Sequence, residues 1–167
     1  MPSSSPYHSD SSQQSEAAWI PAYPPWFEGS PKDYSGFEGE LASEIADRMA
    51  LDIKWVVEPF NKSYAPGAKD YDFDINQISI TPKRAEAVDF SIGYYDANQA
   101  LIALKDSPAV DATSFEDLKE VRLGAQIGTT GLTFIEEAIQ PNEEAQVFDD
   151  TSAAKAALEN GQIDGIV

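Results

Sequence analysis

Three polar side chains occur close together in the segment ISITPKRAEAVDFS, and their types suit the binding of a small anion. Ser79 and Thr81 offer hydroxyl groups, and Arg84 follows them after a short turn. The planar guanidinium of arginine can donate two parallel, charge-assisted hydrogen bonds to one carboxylate. Arg84 therefore has two interpretations: it contacts the carboxylate of a ligand, or it forms an ion pair within the chain with Glu86 or Asp89.

A second segment, QIGTTGLTF, joins a predicted strand to a predicted helix. The turn from Gly128 to Gly131 would place the hydroxyls of Thr129 and Thr130 beside unpaired N–H groups at a helix N-terminus, where the helix dipole favours negative charge. This also suits a carboxylate, although glycine and threonine in such a turn often serve only its geometry. The segment matches neither the GxGxxG nor the GxxxxGK[ST] nucleotide motif.

The composition argues against several kinds of chemistry. The chain has no cysteine, which excludes thiolate catalysis and thiolate metal sites, and its one histidine, His8, lies in a polar tail. The alternating acids in KDYDFDIN lack the glycine and the terminal glutamate of a calcium loop. A net charge of -18 disfavours nucleic acid as a partner. We therefore expect no catalytic residues, no metal and no cofactor.

The elements that must position these residues follow a leader, residues 1–18, which is rich in Ser, Gln and Pro and is predicted to be disordered. The aromatic segment Trp19–Phe27 would either line a cleft or seal the edge of a core. GELASEIADRMA predicts a helix, and DIKWVVEPF, DFDINQISI and QALIAL predict strands.

After Lys105 strands and helices alternate regularly. VRLGAQ, AQVFD and QIDGIV are the predicted strands, and GLTFIEEAIQ and TSAAKAALEN are the predicted helices, with Thr151 as the N-cap of the second. Alternation at this spacing indicates a mainly parallel sheet covered by helices.

Four blocks taken in order carry a family resemblance: GFEGELASEIADRM, DYDFDINQISITPKRAEAVDFSIGYYDANQAL, FEDLKEVRLGAQIGTTG and AAKAALENGQIDGIV. Together they resemble the solute-binding proteins that capture polar amino acids for ABC transporters, over about Pro24 to Val167. The most specific portion is SITPKRAEAVDFSIGYY. The resemblance implies a two-lobed periplasmic-binding-protein-like α/β fold (class II). Lobe one, 19–104, would be nearly complete, and lobe two, 105–167, truncated at its C-terminus.

The resemblance also implies one amino acid pocket, lined by Tyr23, Phe60, Gln77, Ser79, Arg84, Gln126, Thr129 and Thr130. The positions of Arg84 and Ser79 would hold the α-carboxylate, and those of Thr129 and Thr130 would contact the same end of the ligand from the other lobe. The two aromatic positions would sandwich the ligand side chain, with the two glutamines nearby. Two features depart from the family: AAWIPAY offers no clear first strand, and the acidic residue that takes the α-amino group would lie beyond Val167.

The implied function is capture of a polar amino acid and its delivery to a membrane permease, without catalysis. The expected location is the periplasm or a membrane-anchored extracellular face, although the start of the chain has no apolar stretch typical of an export signal. Two alternatives share this fold: an enzyme resembling cyclohexadienyl dehydratase, and the sensory ectodomain of a membrane protein.

Overall fold

The computed structural model of the chain describes residues 23–30 and 34–167 in full, and the backbone of residues 14–19 and 33. The chain forms two compact units, which divide between Ile78 and Ser79. The sequence predicts two lobes, 19–104 and 105–167. Their boundary differs from this division, and the lobes remain a prediction. No helix in the described part of the chain is long and apolar enough to cross a membrane.

The first unit contains a parallel three-stranded sheet with β1 (Gln14–Trp19) at its centre. A hairpin of β2 (Glu28–Ser30) and β3 (Asp33–Ser35) follows β1 along the chain. The outer strands of the sheet are β4 (Asp52–Val57) and β5 (Phe73–Asp74), and both run parallel to β1. The main chain of β1 is therefore paired along both of its edges.

The predicted disordered leader differs from the structure over part of its length. Residues 14–18 belong to β1, whereas residues 1–13, including His8, lie outside the described residues. The prediction rested on side-chain composition, but a central strand gains main-chain hydrogen bonds from both neighbours whatever its side chains are. β1 is also the first strand for which the sequence offered no clear equivalent.

The helix predicted from GELASEIADRMA is confirmed as α1 (Phe37–Arg48), but it buries a different face. Leu41, Ile45 and Met49 recur every four residues and would form one apolar stripe, yet Ile45 and Met49 are 38% and 63% exposed. Ala42 and Ala46 are buried instead, at 0% and 3% exposure. Small side chains at these positions let the helix backbone approach its neighbours closely, so the apolar stripe alone did not identify the packed face.

The core of the first unit is aromatic. Phe27 is fully buried, and its ring packs edge-to-face on Trp55 and Tyr34 at centroid distances of 5.7 and 6.0 Å. The sequence left two roles open for the segment Trp19–Phe27, lining a cleft or sealing the edge of a core. Phe27 has the second role. Residues 20–22 of that segment lie outside the described part of the chain.

The helical segments after α1 are, in chain order, α2 (Phe60–Ser63), α3 (Pro82–Ala85), a 3₁₀ turn (Pro108–Asp111), α4 (Thr130–Phe134) continued by a π-helical turn (Ile135–Ile139), and α5 (Thr151–Glu159). In the second unit β6 (Leu123–Gln126) lies between β7 (Gln146–Phe148) and β8 (Gly165–Ile166) in a parallel sheet. All four residues of β6 are buried. The predicted alternation of strands and helices in this part of the chain is confirmed.

Three local predictions are corrected. DFDINQISI contains only the short β5, because Gln77 has a left-handed backbone (φ 48°) that cannot continue an extended strand. QALIAL contributes one isolated bridge, from Ile102 to Ile166. The N-cap of α5 is Asp150, whose Oδ1 accepts the backbone N–H three residues on at 2.8 Å, and not Thr151.

The packing around β6 leaves no room for a side chain at Gly124. A Cβ atom at this position would lie 2.8 Å from the Phe148 ring and 2.9 Å from Cδ1 of Ile163. We therefore expect Gly124→Ala to destabilise the second unit by about 1–3 kcal/mol, measured as lost hydrogen-exchange protection of the β6 amides. Gly93→Ala is the control, because a Cβ there meets no atom within 4 Å. Equal protection in the two variants would contradict this account of the packing.

Candidate functional site

Arg84 is buried, and within the second unit it joins the two segments that the sequence singled out. Thr81 caps α3, where its Oγ1 accepts the backbone N–H of Arg84 at 3.2 Å. The Arg84 residue is 7% exposed. Its Nη1 donates to the carbonyl oxygen of Ser79 and its Nη2 to that of Gly128, each at 2.8 Å. The guanidinium therefore holds the hydroxyl-bearing segment beside the glycine-threonine turn.

Two hydroxyl groups meet at the same place. Ser79 Oγ and Thr130 Oγ1 lie 3.4 Å apart, and the side-chain amide of Gln99 donates to Thr130 Oγ1 at 2.7 Å. Gln99 was not among the predicted site residues. It belongs to QALIAL, which the sequence presented as an ordinary strand, so only the folded chain brings its amide to this hydroxyl.

Thr129 and Gln126 have contacts that shape the turn. Thr129 is the N-cap of α4: its Oγ1 accepts the N–H of Leu132 at 3.1 Å and donates to the carbonyl of Gln126 at 2.8 Å. Gln126 is 8% exposed, and its Oε1 accepts a hydrogen bond from the hydroxyl of Thr151 at 2.8 Å. Both side chains thus fix the conformation of the segment that carries Gly128 and Thr130.

The groups around Arg84 are chiefly hydrogen-bond donors: a guanidinium, the hydroxyls of Ser79 and Thr130, and the Gln99 amide. A guanidinium has five N–H donors and no acceptor, so it can stabilise a negative charge. The arrangement therefore suits the holding of a small anion such as a carboxylate. Within the described ranges, no group of three or more His, Cys, Asp or Glu side chains could hold a metal ion.

The remaining predicted residues, Tyr23, Phe60 and Gln77, lie in the first unit and are half-buried. Tyr23 begins a tight turn, in which its carbonyl accepts the N–H of Trp26 at 2.9 Å. Phe60 begins α2, and its ring packs edge-to-face on Tyr64 at 5.8 Å. The turn thus fixes the backbone conformation of Tyr23, and the short helix fixes that of Phe60.

Glu38 is a further residue of this unit, and the sequence did not single it out. It is fully buried in the first turn of α1 and binds Gln77 with both carboxylate oxygens. Its Oε1 accepts the main-chain N–H of Gln77 at 2.8 Å, and its Oε2 accepts the side-chain Nε2. Acidic residues in a first helical turn are common because they suit the helix dipole. The sequence therefore gave no reason to expect this one in the interior.

Asp74, at the end of β5, is a second acidic group in the interior of the first unit. Neither its carboxylate oxygens nor the buried hydroxyl of Ser63 have a hydrogen-bond partner of normal geometry among the described residues. Burial raises the pKa of Asp74 to about 6, against the opposing effect of the nearby Ser63 hydroxyl. The charges of Glu38 and Glu58 raise it further.

Residues 17–167 match the family of bacterial extracellular solute-binding proteins, family 3. The match includes both segments that meet at Arg84. The chain belongs to this family. Membership confirms the resemblance noted in the sequence, and the solved relatives confirm the two-lobed periplasmic-binding-protein-like α/β fold class.

Two curated relatives illustrate the similarity. The chain is 32% identical over 147 residues to ABC transporter arginine-binding protein 1 of Escherichia coli (strain K12), a match that covers 86% of this chain and 58% of that protein. It is 30% identical over 149 residues to the probable histidine-binding protein of Campylobacter jejuni subsp. jejuni, covering 88% of this chain and 56% of that one. The chain therefore spans a little over half the length of these relatives.

Among solved structures, an ancestral amino acid-binding protein described as a precursor of cyclohexadienyl dehydratase is similar, with a TM-score of 0.82 and 26% identity. The similarity covers 92% of this chain and 69% of that chain. That relative is itself named as a binding protein, although it is related to an enzyme lineage.

Proposed function

We propose that this chain is the amino acid-capturing part of the substrate-binding component of an ABC importer. The observation that carries the proposal is the buried Arg84, which is held beside the hydroxyls of Ser79 and Thr130. A cation and hydroxyl donors at one place suit the α-carboxylate that all amino acids share. The names of the relatives support the same ligand class, since they are binding proteins for arginine and histidine.

The other predicted residues complete the proposed pocket. Lobe one comprises residues 19–104 and contributes Tyr23, Phe60 and Gln77, with the two aromatic rings against the ligand side chain. Lobe two comprises residues 105–167, where Thr129 and Thr130 contact the carboxylate end of the ligand and Gln126 lies nearby. Ligand capture then follows the hinged closure typical of two-lobed binding proteins.

The proposed partner is the membrane permease of the importer, and the proposed location is the periplasm or a membrane-anchored extracellular face. Family membership supports both statements, because the family is extracellular and the arginine-binding relative is named as part of an ABC transporter. We propose a binding protein and not an enzyme. The donors around Arg84 can hold an anion, but none of them is suited to accept a proton near neutral pH.

The test is a titration of the ¹⁵N-labelled chain with each of the twenty amino acids, followed by NMR, which detects even millimolar binding. We expect a polar amino acid to shift the amide signals of Ser79 and of residues 128–131 in a saturable manner. D-enantiomers of the same amino acids are the control, because they keep the carboxylate but reverse its placement relative to the side chain.

Two results would contradict the proposal. One is the absence of saturable shifts with all twenty amino acids. The other is binding that shifts signals elsewhere and leaves residues 128–131 unchanged. Turnover of prephenate by the chain would instead support the alternative, an enzyme that resembles cyclohexadienyl dehydratase.

A further inference from the structure

Glu38 and Gln77 form a closed pair of hydrogen bonds between the first turn of α1 and the segment after β5. Both oxygens of one buried carboxylate accept N–H groups of one residue, the main-chain amide and the side-chain amide of Gln77. The pair fixes a backbone that residues with side chains seldom adopt, because Gln77 has a φ of 48°. Gln77 is thus held at its main chain and at the end of its side chain.

The pairing also determines which end of the Gln77 amide faces outward. An amide side chain has one donor end and one acceptor end, and Glu38 Oε2 accepts a hydrogen bond from the donor end, Nε2. Glu38 therefore binds the NH₂ end and turns the amide oxygen away. Among the described residues no donor contacts that oxygen, and Gln77 is half-buried. The outward group of this side chain is an acceptor.

The main chain of Glu38 is also hydrogen-bonded to the turn that begins at Tyr23. Its own N–H donates to the carbonyl of Trp26 at 3.0 Å, and the N–H of Phe37 donates to the carbonyl of Pro25 at 3.0 Å. The turn that begins at Tyr23 and the side chain of Gln77 are therefore fixed by the same helix start. Two of the predicted ligand-binding residues of the first unit, Tyr23 and Gln77, are thus linked to the start of α1.

We infer that Glu38 is a positioning residue, which locks Gln77 with its amide oxygen outward and so selects for ligand groups that carry an N–H donor. The inference rests on the proposed function for its ligand, since Gln77 acts on a bound amino acid. Within the twenty amino acids the matching groups are the α-ammonium and the side-chain ammonium, guanidinium, imidazole, indole or amide. A ligand that offers only acceptors would place an acceptor against the Gln77 amide oxygen, and two acceptors repel each other.

The first test needs no ligand. In the wild-type chain we expect a through-hydrogen-bond NMR coupling between the Gln77 main-chain nitrogen and the carboxyl carbon of Glu38. We also expect slow exchange of the Gln77 side-chain NH₂ protons. Glu38→Gln keeps one acceptor oxygen for the main-chain N–H of Gln77, so the coupling should persist, whereas the Gln77 NH₂ loses its acceptor and its exchange should become faster. Glu40→Gln is the matched control, because Glu40 lies in the same helical turn, carries the same charge and is exposed.

The second test measures binding of L-arginine, chosen because a relative is named for it. We expect Glu38→Gln to weaken binding roughly tenfold, the scale of one charged hydrogen bond. In a Gln77→Gly background, which permits the same φ but removes the amide, Glu38→Gln should have little further effect. Additive losses would show that Glu38 does not act through Gln77.

The tests separate the two proposals. Should the wild-type chain bind none of the amino acids, the proposed function fails, while the coupling and the NH₂ exchange still decide the position of the amide. Should the wild-type chain bind but show no coupling and rapid NH₂ exchange, the positioning role of Glu38 is overturned and the proposed function stands. If Glu38→Gln does not fold, the wild-type measurement and Gln77→Met, which keeps the side-chain length without the amide, decide the question.

Discussion

Replacing Arg84 by alanine is expected to weaken amino acid binding by about 2–5 kcal/mol, or roughly 30-fold to several-thousand-fold. The variant loses the guanidinium proposed to bind the α-carboxylate. It also leaves the carbonyls of Ser79 and Gly128 without this donor, which removes the link between the two segments of the site. The measurement is the NMR titration described above, in which the shifts of residues 128–131 should no longer appear.

Two further variants separate charge from geometry. Arg84→Lys keeps the charge, but one ammonium cannot reproduce a planar fork that reaches two carbonyls and a carboxylate, so we expect only partial recovery. Arg48→Ala is the control, because the side chain of Arg48 is 78% exposed and pairs with Glu44 on the surface of α1. Unchanged affinity in Arg84→Ala would reduce Arg84 to a structural residue that holds the turn.

The regular part of the fold was predictable because its signals are local. The alternation after Lys105 follows from runs of apolar residues separated by glycine and polar turns, and β6, α4 and α5 lie where the pattern placed them. β1 was missed because its pairing, and not its composition, makes it a strand. The packed face of α1 was missed because alanines, not the larger apolar residues, lie in the core.

The candidate site was predictable in its residue types but not in its connections. The sequence indicated that Arg84 and the turn at Gly128 both suit an anion, yet nothing local indicated that the guanidinium would bind the turn's own carbonyl. The contacts of Glu38 and Gln99 could not be predicted from the sequence for the same reason. Each acts through a partner 31 or more positions away in the chain. Hydrogen bonds between residues far apart in the chain produce no local sequence pattern from which they could be predicted.

Asp74→Asn is expected to stabilise the first unit at pH 7.5 by roughly 2–3 kcal/mol, and this gain should disappear near pH 4. The folded-state pKa of Asp74 is raised to about 6 from an ordinary 3.8, chiefly by burial. Between these values the folded chain binds more protons than the unfolded chain, so stability falls as the pH rises. Below pH 4 both states are protonated and the asparagine confers little advantage.

The measurement is urea unfolding followed by tryptophan fluorescence from pH 4 to pH 8. All three tryptophans, Trp19, Trp26 and Trp55, belong to the first unit, so the signal reports on the unit that contains Asp74. Asp70→Asn is the matched control: it removes the same charge four residues earlier, at an exposed position. The difference in unfolding free energy between Asp74→Asn and wild type should grow from pH 4 and level off above about pH 7, while the Asp70→Asn difference stays small. A constant difference across this range would mean that Asp74 titrates at an ordinary pKa and that its burial carries no electrostatic cost.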